Sequence, residues 1–230
     1  MIVRSIIPAA GQGKRMSSDV PKQFLKLAGQ PILYHTLDAF ERSGLVESIS
    51  LVVPPKETDA MKAKWPNWFP RVTNVVAGGK ERQDSVYNGL CSLDKDTEIV
   101  IVHDGVRPFL TSSMISEVVN AAAQHGAAIL ALPLSDTLKR GDSEGFVQKT
   151  LNRDDLWRVQ TPQAFRYNLL CEAMKKARVD NFYGTDEGML IERLGKSIKL
   201  IPGSERNIKI TRHEDLRLAE LLAASTDSLK

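Results

Sequence analysis

The first group of residues that could carry chemistry follows a short apolar stretch, residues 3–7. It combines a loop of small side chains with two downstream cations: Ala9, Ala10, Gly11, Gly13, Arg15 and Lys22. Small residues leave backbone N–H groups exposed, so such a loop can wrap the oxygens of a triphosphate while the cations neutralise their charge. An ordinary strand-to-helix turn with surface cations is the alternative interpretation of the same residues.

Two common phosphate-binding patterns do not fit this loop. It has no Gly-Lys-Ser or Gly-Lys-Thr ending, as a P-loop requires, and the third glycine of a dinucleotide fingerprint would fall on Met16. An acid at the usual distance for binding a ribose is not evident either. These gaps disfavour an NAD-dependent reductase, which we keep as an alternative.

A second glycine pair follows another apolar stretch. Gly78 and Gly79 would let the backbone approach a planar ligand, and Ser85, one helical turn later, could hydrogen-bond the edge of a base. The simpler interpretation is a glycine turn followed by a helix start that is rich in acids.

The third group, residues 103–108, contains a carboxylate and a guanidinium close together. Asp104 is placed to hold hydroxyl groups or a hydrated Mg²⁺, and Arg107 can form paired hydrogen bonds to a carboxylate or a phosphate. A salt bridge between the two within a turn is the alternative. His103 we assign to packing or hydrogen bonding.

Composition and charge exclude several classes of function. The 230 residues carry a formal net charge of only +3, which argues against general binding of nucleic acid. Cys91 and Cys171 are far apart in the sequence and form no metal-type pair, so we interpret them as reduced thiols. Without a run of about 18 apolar residues or a charged leader pattern, we expect a cytoplasmic protein that does not bind membranes.

Short β-rich runs alternate with helical patterns, which predicts a doubly wound α/β fold with a mostly parallel, Rossmann-like sheet in one domain, residues 1–230. Runs such as 99–102 are apolar on both faces, as in a parallel sheet covered by helices. The predicted strands are 5–7, 48–53, 72–77, 99–102, 127–132 and 197–201. The predicted helices are 31–43, 57–65, 81–93, 113–124, 167–177, 185–194 and 213–224, and the aromatic segment 65–70 is expected to pack on the core as a helix end.

The polar groups are expected to meet at one edge of this sheet. Ligands of such sheets bind beyond the carboxyl ends of the strands. The glycine loop, Gly78-Gly79, the Asp104 group and residues 135–137 all directly follow predicted strands.

Several motifs together resemble a known family. The pattern Ala-Gly-x-Gly-x-Arg-Met at 10–16, with Pro-Lys-Gln at 21–23, resembles the loop of nucleotidyltransferases that join a nucleoside triphosphate to a sugar phosphate. The Pro-Ala-Ala-Gly opening, Asp-x-x-Arg-Pro at 104–108 and Asn-Arg-Asp-Asp-Leu-Trp at 152–157 are similar to the 2-C-methyl-D-erythritol 4-phosphate cytidylyltransferase family over nearly the whole chain.

The resemblance implies a reaction and its partners. A cytidylyl group would pass from CTP to 2-C-methyl-D-erythritol 4-phosphate, giving 4-diphosphocytidyl-2-C-methyl-D-erythritol and pyrophosphate in the non-mevalonate isoprenoid pathway. The expected partners are thus CTP and a polyol phosphate. Mg²⁺ or another divalent cation, held mainly by the CTP phosphates, is the expected cofactor.

The resemblance also assigns roles to individual residues. Catalytic roles fall on Arg15, Lys22 and Lys209. CTP binding falls on Ala9, Ala10, Gly11, Gly13, Arg15, Lys22, Gly78, Gly79, Ser85 and Asp104. Acceptor binding falls on Asp104, Arg107, Thr137, Arg153, Thr161 and Lys209, and no protein ligand for the metal is certain.

The pattern around Lys209 can also be interpreted from the residues alone. We expect this lysine inside an apolar strand, where a lone cation is costly without an anion; an edge strand with its ammonium in water is the alternative. Two positions depart from the family, which often has acidic residues there. Lys80 would affect base selectivity if the family's acidic side chain contacts the base at this position. Arg206 argues against a metal ligand at its position.

Residues 133–153 interrupt the alternation of strands and helices. Segments 134–139 and 146–151 would form a hairpin, which as an isolated ribbon is unstable in water and must pack on its own domain or on a partner chain. A local surface hairpin is one interpretation. The resemblance implies instead a protruding dimerisation arm, through which the chain would form a homodimer.

Two further functions remain as alternatives. A ribitol 5-phosphate cytidylyltransferase would share the glycine loop, the Asp-x-x-Arg-Pro turn and Thr-Pro-Gln. A non-catalytic nucleotide sensor on the same fold would not need the cations on the acceptor side, so the presence of Arg15, Lys22, Asp104 and Lys209 together argues against it.

Overall fold

A seven-stranded sheet forms the centre of the computed structural model, which describes residues 1–11 and 20–227. Gly13 and Arg15 therefore lie outside the described residues. The strands described are β1 (Val3–Pro8), β2 (Lys26–Leu27), β3 (Gln30–Pro31), β4 (Ser48–Val53), β5 (Val72–Ala77), β6 (Ile99–Val102), β7 (Ala127–Pro133), β8 (Leu138–Gly141), β9 (Val147–Leu151), β10 (Trp157–Arg166) and β11 (Lys199–Pro202).

The strand order in the main sheet is β11-β7-β10-β6-β1-β4-β5. All its neighbours pair in parallel except β10, which runs antiparallel to both β6 and β7. The carboxyl ends of six strands therefore meet at one edge, and the start of β10 reaches the same edge. The predicted doubly wound, mostly parallel sheet is confirmed.

Helices cover both faces of the sheet. They are α1 (Ile32–Ser43), α2 (Thr58–Trp68), α3 (Arg82–Cys91), α4 (Ser112–His125), α5 (Tyr167–Val179), α6 (Glu187–Arg193) and α7 (His213–Asp227). The first core cluster holds apolar residues of α1, α2 and α4, and the second holds those of α3, α5 and α6. None of the helices in the described ranges has both the length and the apolar character needed to cross a membrane.

The pattern of β6 explains why both faces are covered. Ile99 and Ile101 lie in the first cluster, and Val100 and Val102 lie in the second. Side chains alternate across a strand, so an uninterrupted run of β-branched residues has to be buried on both sides. The predicted bounds of β4, β5 and β6 are confirmed to the residue.

The largest difference from the sequence prediction is β10, which we did not predict. Its polar residues and Pro162 are unusual in a central strand, because proline cannot donate to the ladder. The register between β10 and β7 shifts between Val159 and Gln163, so Pro162 lies at the irregularity. The polar side chains of β10 therefore mask the apolar pattern from which a strand is predicted.

The aromatic segment 65–70 at the end of α2 packs on the core, as predicted. Trp65 and Phe69 are buried and stack with their ring centroids 5.8 Å apart, whereas Trp68 is half exposed. The helix extends to Trp68, three residues beyond its predicted end, and includes Pro66. Cys91 and Cys171 are free thiols.

A two-stranded ribbon, β8 with β9, projects from the domain within residues 133–153. Most of its residues are exposed, including Phe146 and Val147 with 68% and 63% of their surface accessible. Asp142 closes the turn by accepting hydrogen bonds from the N–H groups of Glu144 and Phe146. The hairpin is confirmed, although its first strand begins at Leu138, four residues later than predicted.

We expect Gly89→Ala to lower the free energy of unfolding by about 1–3 kcal/mol. Alanine normally favours a helix, but a Cβ on Gly89 would meet Ile6 Cγ2 at 2.5 Å where α3 packs on β1. Gly188→Ala is the matched control, because a Cβ there has ordinary contacts at 3.4 Å or more. Urea unfolding should show a lower free energy of unfolding for Gly89→Ala alone. Equal decreases in both variants would contradict the packing argument.

Candidate active site

The polar loops after β1, β5 and β6 meet at the carboxyl edge of the sheet, as the sequence predicts. A cleft of about 410 Å³ opens there. Four predicted acceptor residues line it: Asp104, Arg107, Thr161 and Lys209. A larger cleft of about 950 Å³ lies at the opposite edge, and no predicted site residue is among the described residues that line it.

Asp104 forms the centre of the cleft, because three cations converge on its carboxylate. Lys209 Nζ lies 2.8 Å from Oδ2, Arg82 Nε donates to Oδ1 at 3.2 Å, and Arg107 Nε lies 3.6 Å from Oδ2. Arg82 also donates through Nη1 to both carboxylate oxygens of Glu187, at 2.8 and 3.0 Å. Asp104 is 6% exposed and Glu187 is 1% exposed.

Burial and charge act in opposite directions on these groups. Burial raises the pKa of Asp104, but Arg82, Lys209 and Arg107 outweigh it and hold this pKa well below its usual range. Burial lowers the pKa of Arg82, but the carboxylates of Glu187 and Asp104 outweigh it and raise this pKa. For Glu187, burial dominates and raises the pKa despite the partner Arg82.

A second network of neutral groups holds the backbone at Asp104. His103 Nε2 donates to the carbonyl of Arg107 at 3.1 Å, which leaves Nδ1 to accept from the hydroxyl of Thr161 at 3.2 Å. The same hydroxyl accepts from the N–H of Asp104 at 3.1 Å. The assignment of His103 to hydrogen bonding is confirmed. The hydroxyl of Thr161 thus has a structural task in addition to its proposed contact with a phosphate.

The loop at Gly78 and Gly79, here called the base loop after the contact proposed for it, packs directly against the start of the glycine loop that follows β1. A Cβ on Gly78 would lie 2.3 Å from the Cβ of Ala10, so only glycine allows the two segments to approach so closely. Ser85 accepts a hydrogen bond from the N–H of Gly79 at 3.1 Å and donates to the carbonyl of Glu81. Through these two hydrogen bonds, Ser85 holds the backbone of the loop from Gly79 to Glu81.

The loop after β1 is anchored by a residue that the sequence analysis did not select. Gln23 is buried and donates to the carbonyl of Ala9 at 2.6 Å. Because Lys22 precedes Gln23 in the 3-10 turn Lys22–Phe24, this bond ties the lysine to the end of β1. Gly11 is exposed at the limit of the described range.

The prediction that Lys209 lies in a strand is wrong. Residues 207–211 form neither helix nor strand. Individual hydrogen bonds to the loop after β6, rather than the regular ladder of a sheet, hold their backbone. Arg107 Nη1 donates to the carbonyl of Asn207 at 2.7 Å, and the N–H of Ile210 donates to the carbonyl of Val106 at 3.0 Å. The anion that Lys209 needs is Asp104.

The two departures from the family pattern have different surroundings. Arg206 donates to the carbonyl of Leu222 and to the hydroxyl of Ser225, so its guanidinium binds α7. Lys80 is exposed in the loop before α3.

Thr137 and Arg153 do not line the Asp104 cleft of their own chain. Both are exposed at the base of the ribbon, where Arg153 donates to the carbonyl of Ser135. The structure therefore separates the predicted acceptor residues into a group of four around Asp104 and a pair on the arm.

Sequence reasoning missed Arg82 and Glu187, which complete the charged cluster. Arg82 stood within the glycine-pair motif but carried no distinguishing pattern, and its partner lies 105 positions away. Gln163 was also missed, although it is the last residue of the quoted Thr-Pro-Gln motif. It donates to Asp186 Oδ2 at 2.7 Å and fixes the start of α6.

Within the described ranges, the structure has no group of three or more His, Cys, Asp or Glu side chains that could hold a metal ion. Both oxygens of Asp104 are already paired with cations.

Comparisons with known proteins identify what the chain is similar to. The family model described as IspD, 2-C-methyl-D-erythritol 4-phosphate cytidylyltransferase, matches residues 3–225. The curated 2-C-methyl-D-erythritol 4-phosphate cytidylyltransferase of Pelotomaculum thermopropionicum is 48% identical over 220 residues, covering 95% of this chain and 92% of that protein. The curated enzyme of the same name from Geobacillus kaustophilus is 46% identical over 226 residues, with 98% of each covered.

Solved structures agree over the full fold. The 4-diphosphocytidyl-2C-methyl-D-erythritol synthase of Anaerococcus prevotii matches with a TM-score of 0.85 and 32% identity, covering 97% of this chain and 96% of that one. The 2-C-methyl-D-erythritol 4-phosphate cytidylyltransferase of Thermus thermophilus matches with a TM-score of 0.80 and 34% identity, covering 97% of this chain and all of that one.

We expect His103 to make stability depend on pH. Burial lowers its pKa from 6.5 to about 4, so below pH 6.5 the unfolded state binds a proton that the folded state refuses. The contribution is present in full above the unfolded pKa and is lost as the pH falls toward the folded one. By linkage it should reach about 2 kcal/mol between about pH 7 and about pH 5.

Urea unfolding at these two pH values measures the loss. The neutral variant His103→Gln should lose less stability than the wild type by that amount, whereas exposed His125 offers the control His125→Gln, which should behave as the wild type. Equal losses in the wild type and His103→Gln would show that His103 is not the titrating group.

Proposed function

The chain belongs to the 2-C-methyl-D-erythritol 4-phosphate cytidylyltransferase family, and we propose that the cleft around Asp104 is where it carries out the family's reaction. A phosphate oxygen of 2-C-methyl-D-erythritol 4-phosphate attacks the α-phosphorus of CTP. The bond from that phosphorus to the bridging oxygen of the β-phosphate breaks, and pyrophosphate leaves. This transfer belongs to isoprenoid biosynthesis.

The observation that carries the proposal is the convergence of cations in the cleft. Arg82, Arg107 and Lys209 all converge on the carboxylate of Asp104, and Arg82 also pairs with Glu187. Two phosphate charges at about 4 Å repel by roughly 4 kcal/mol at an effective dielectric constant near 20. Fixed cations that offset this repulsion are the main requirement, because the attacking oxygen is already ionised.

On the nucleotide side, we assign the triphosphate to the loop after β1. Backbone groups of Ala9, Ala10, Gly11 and Gly13 would approach the phosphate oxygens, and Arg15 and Lys22 would neutralise them. The close packing of Ala10 on Gly78 supports this arrangement, since it joins the triphosphate loop to the loop proposed to bind the base. Gly78, Gly79 and Ser85 would contact cytosine, and Asp104 the hydroxyl groups.

On the acceptor side, we assign the phosphate to Lys209, Arg107 and Thr161. Thr137 and Arg153 would complete the site from the arm of a second chain, because both are exposed at the base of the ribbon rather than in the cleft. The apolar side chains Phe146 and Val147 on the ribbon are largely exposed and need a covering surface. A homodimer formed through residues 133–153 would provide it.

Mg²⁺ would be held by the phosphates of CTP, since the carboxylate of Asp104 is occupied by cations. When bound, the ion supplies positive charge to the phosphate oxygens. Lys22 and Lys209 would add to this charge from the two sides of the α-phosphorus, which places the incoming and leaving groups in line.

The reaction is tested by measuring pyrophosphate release from CTP and Mg²⁺ with two separate acceptors. We expect release with 2-C-methyl-D-erythritol 4-phosphate and none with D-ribitol 5-phosphate. Release with the ribitol ester alone would overturn the acceptor while keeping the chemistry. No pyrophosphate release with either acceptor, while CTP still binds, would favour a non-catalytic nucleotide sensor over an enzyme.

We expect Lys22→Ala and Lys209→Ala each to lower kcat by about 10²–10³, the usual loss for one group that stabilises transition-state charge. Steady-state kinetics with both substrates saturating measures the effect. Lys26→Ala is the matched control, because Lys26 is exposed in the same segment as Lys22. Unchanged turnover in either variant would remove that lysine from the mechanism.

A site shared between chains predicts complementation. Arg153→Ala should mainly raise KM for the acceptor, since this arginine would serve the partner's cleft. Dimers that combine one Arg153→Ala chain with one Lys22→Ala chain would keep one cleft with both residues intact. Mixing the two purified variants should therefore restore part of the activity. A mixture no more active than its components would exclude a shared site.

A further inference from the structure

Four charged side chains of alternating sign form a chain across the cleft. Glu187 accepts from Arg82 Nη1 at 2.8 and 3.0 Å, Arg82 Nε donates to Asp104 Oδ1 at 3.2 Å, and Lys209 Nζ contacts Asp104 Oδ2 at 2.8 Å. The two oxygens of one carboxylate are thus held by two different cations. The direction in which Asp104 presents Oδ2 to Lys209 depends on Arg82.

The first member of this chain is fixed to the scaffold. Glu187 lies in the first turn of α6, and Asp186 caps that helix by accepting from the N–H of Met189 at 2.9 Å. Gln163 on β10 donates to Asp186 and accepts from the N–H of Gly188 at 3.2 Å. These bonds leave Glu187 little freedom, so its carboxylate is a fixed point for Arg82.

The residues after Arg82 hold the segment before Glu187. Gln83 donates to the carbonyl of Phe182 at 3.0 Å and accepts from the N–H of Gly184 at 2.9 Å. Hydrogen bonds of Arg82, Gln83 and Asp84 therefore join the first turn of α3 to residues 182–187. These bonds fix the start of α3, and with it the backbone of Arg82, against the segment that leads into α6.

Lys209 itself has little local support. It lies outside any helix or strand, and its side chain is 37% exposed. A flexible four-carbon side chain has many rotamers, and a partner that fixes one of them removes the entropy cost of doing so during the reaction. Asp104 is that partner, but a carboxylate can rotate unless its second oxygen is also held.

We propose that Arg82 and Glu187 are positioning residues for cytidylyl transfer, which act on Lys209 through the carboxylate of Asp104. This inference rests on the proposed function, because Lys209 is there assigned to the reacting phosphates. Glu187 fixes the position of Arg82, and Arg82 fixes Oδ1 of Asp104. Oδ2 of Asp104 then holds the ammonium of Lys209 in one orientation toward the cleft.

Kinetics of Glu187→Gln and Arg82→Lys test this assignment. The first variant keeps the shape of the side chain and removes its charge, and the second keeps a charge that cannot span two carboxylates. We expect kcat to fall about 10- to 100-fold in each, as for a displaced catalytic group, while the dissociation constant for CTP stays near the wild-type value. A fall in CTP affinity without a fall in kcat would overturn the proposal.

A double-mutant cycle separates positioning from direct contact with substrate. If Glu187 acts through Lys209, Glu187→Gln should have no further effect on kcat in a Lys209→Ala background. Additive losses would overturn the proposal, since they would mean that Glu187 and Arg82 act independently of the lysine. Asp180→Asn is the control, because Asp180 forms a comparable arginine pair with Arg193 at 2.8 Å on the surface of α6 and should keep wild-type kcat.

A chemical readout does not depend on the acceptor. Acylation of Lys209 by an amine-reactive ester, followed by mass spectrometry of substrate-free protein, reports how firmly the ammonium is held. Without the charge of Glu187, we expect Arg82 to shift toward Asp104 and to compete with Lys209 for its carboxylate. Glu187→Gln should therefore increase the rate of Lys209 labelling about twofold or more, whereas Asp180→Asn should leave that rate unchanged. A wild-type rate in Glu187→Gln would overturn the proposal even if the proposed reaction failed.

Discussion

The site depends on one buried carboxylate that three cations share. Removing Asp104 and its partners from water is costly, and their mutual attraction repays this cost only when the geometry is held by the surrounding fold. The four groups come from three distant parts of the chain: Arg82 from the start of α3, Asp104 and Arg107 from the loop after β6, and Lys209 from the segment before α7. The sheet must therefore bring distant segments together before any chemistry is possible.

The antiparallel strand β10 provides much of this support. Its amino-terminal end reaches the edge where the parallel strands end, and the middle of the strand carries Thr161 and Gln163, which line the cleft. Thr161 joins the neutral network of His103 and the backbone of Asp104, and Gln163 fixes the start of α6. A seventh parallel strand would have carried its polar end away from the site. The antiparallel direction of β10 thus brings its polar side chains to the cleft.

How much of this the sequence predicted follows from the range of the interactions. Strands that are apolar on both faces, such as β6, were predicted to the residue, because local pattern alone determines them. β10 was missed, since its polar side chains satisfy contacts far away in the sequence. Lys209 was correctly expected to need an anion but wrongly assigned to a strand. The pair of Arg82 and Glu187 spans 105 positions and leaves no local pattern, and Arg15 lies outside the described residues.

The shared carboxylate also explains how the cleft can hold several cations before a substrate arrives. At an effective dielectric constant near 20, two like charges about 4 Å apart cost roughly 4 kcal/mol, so unpaired cations would spread apart. Asp104 lets Arg82, Arg107 and Lys209 remain close together, and Glu187 holds Arg82 from the other side. In the proposed reaction, an incoming phosphate would meet cations that are already oriented. Because their reorganisation occurred during folding, less of it remains to oppose the reaction.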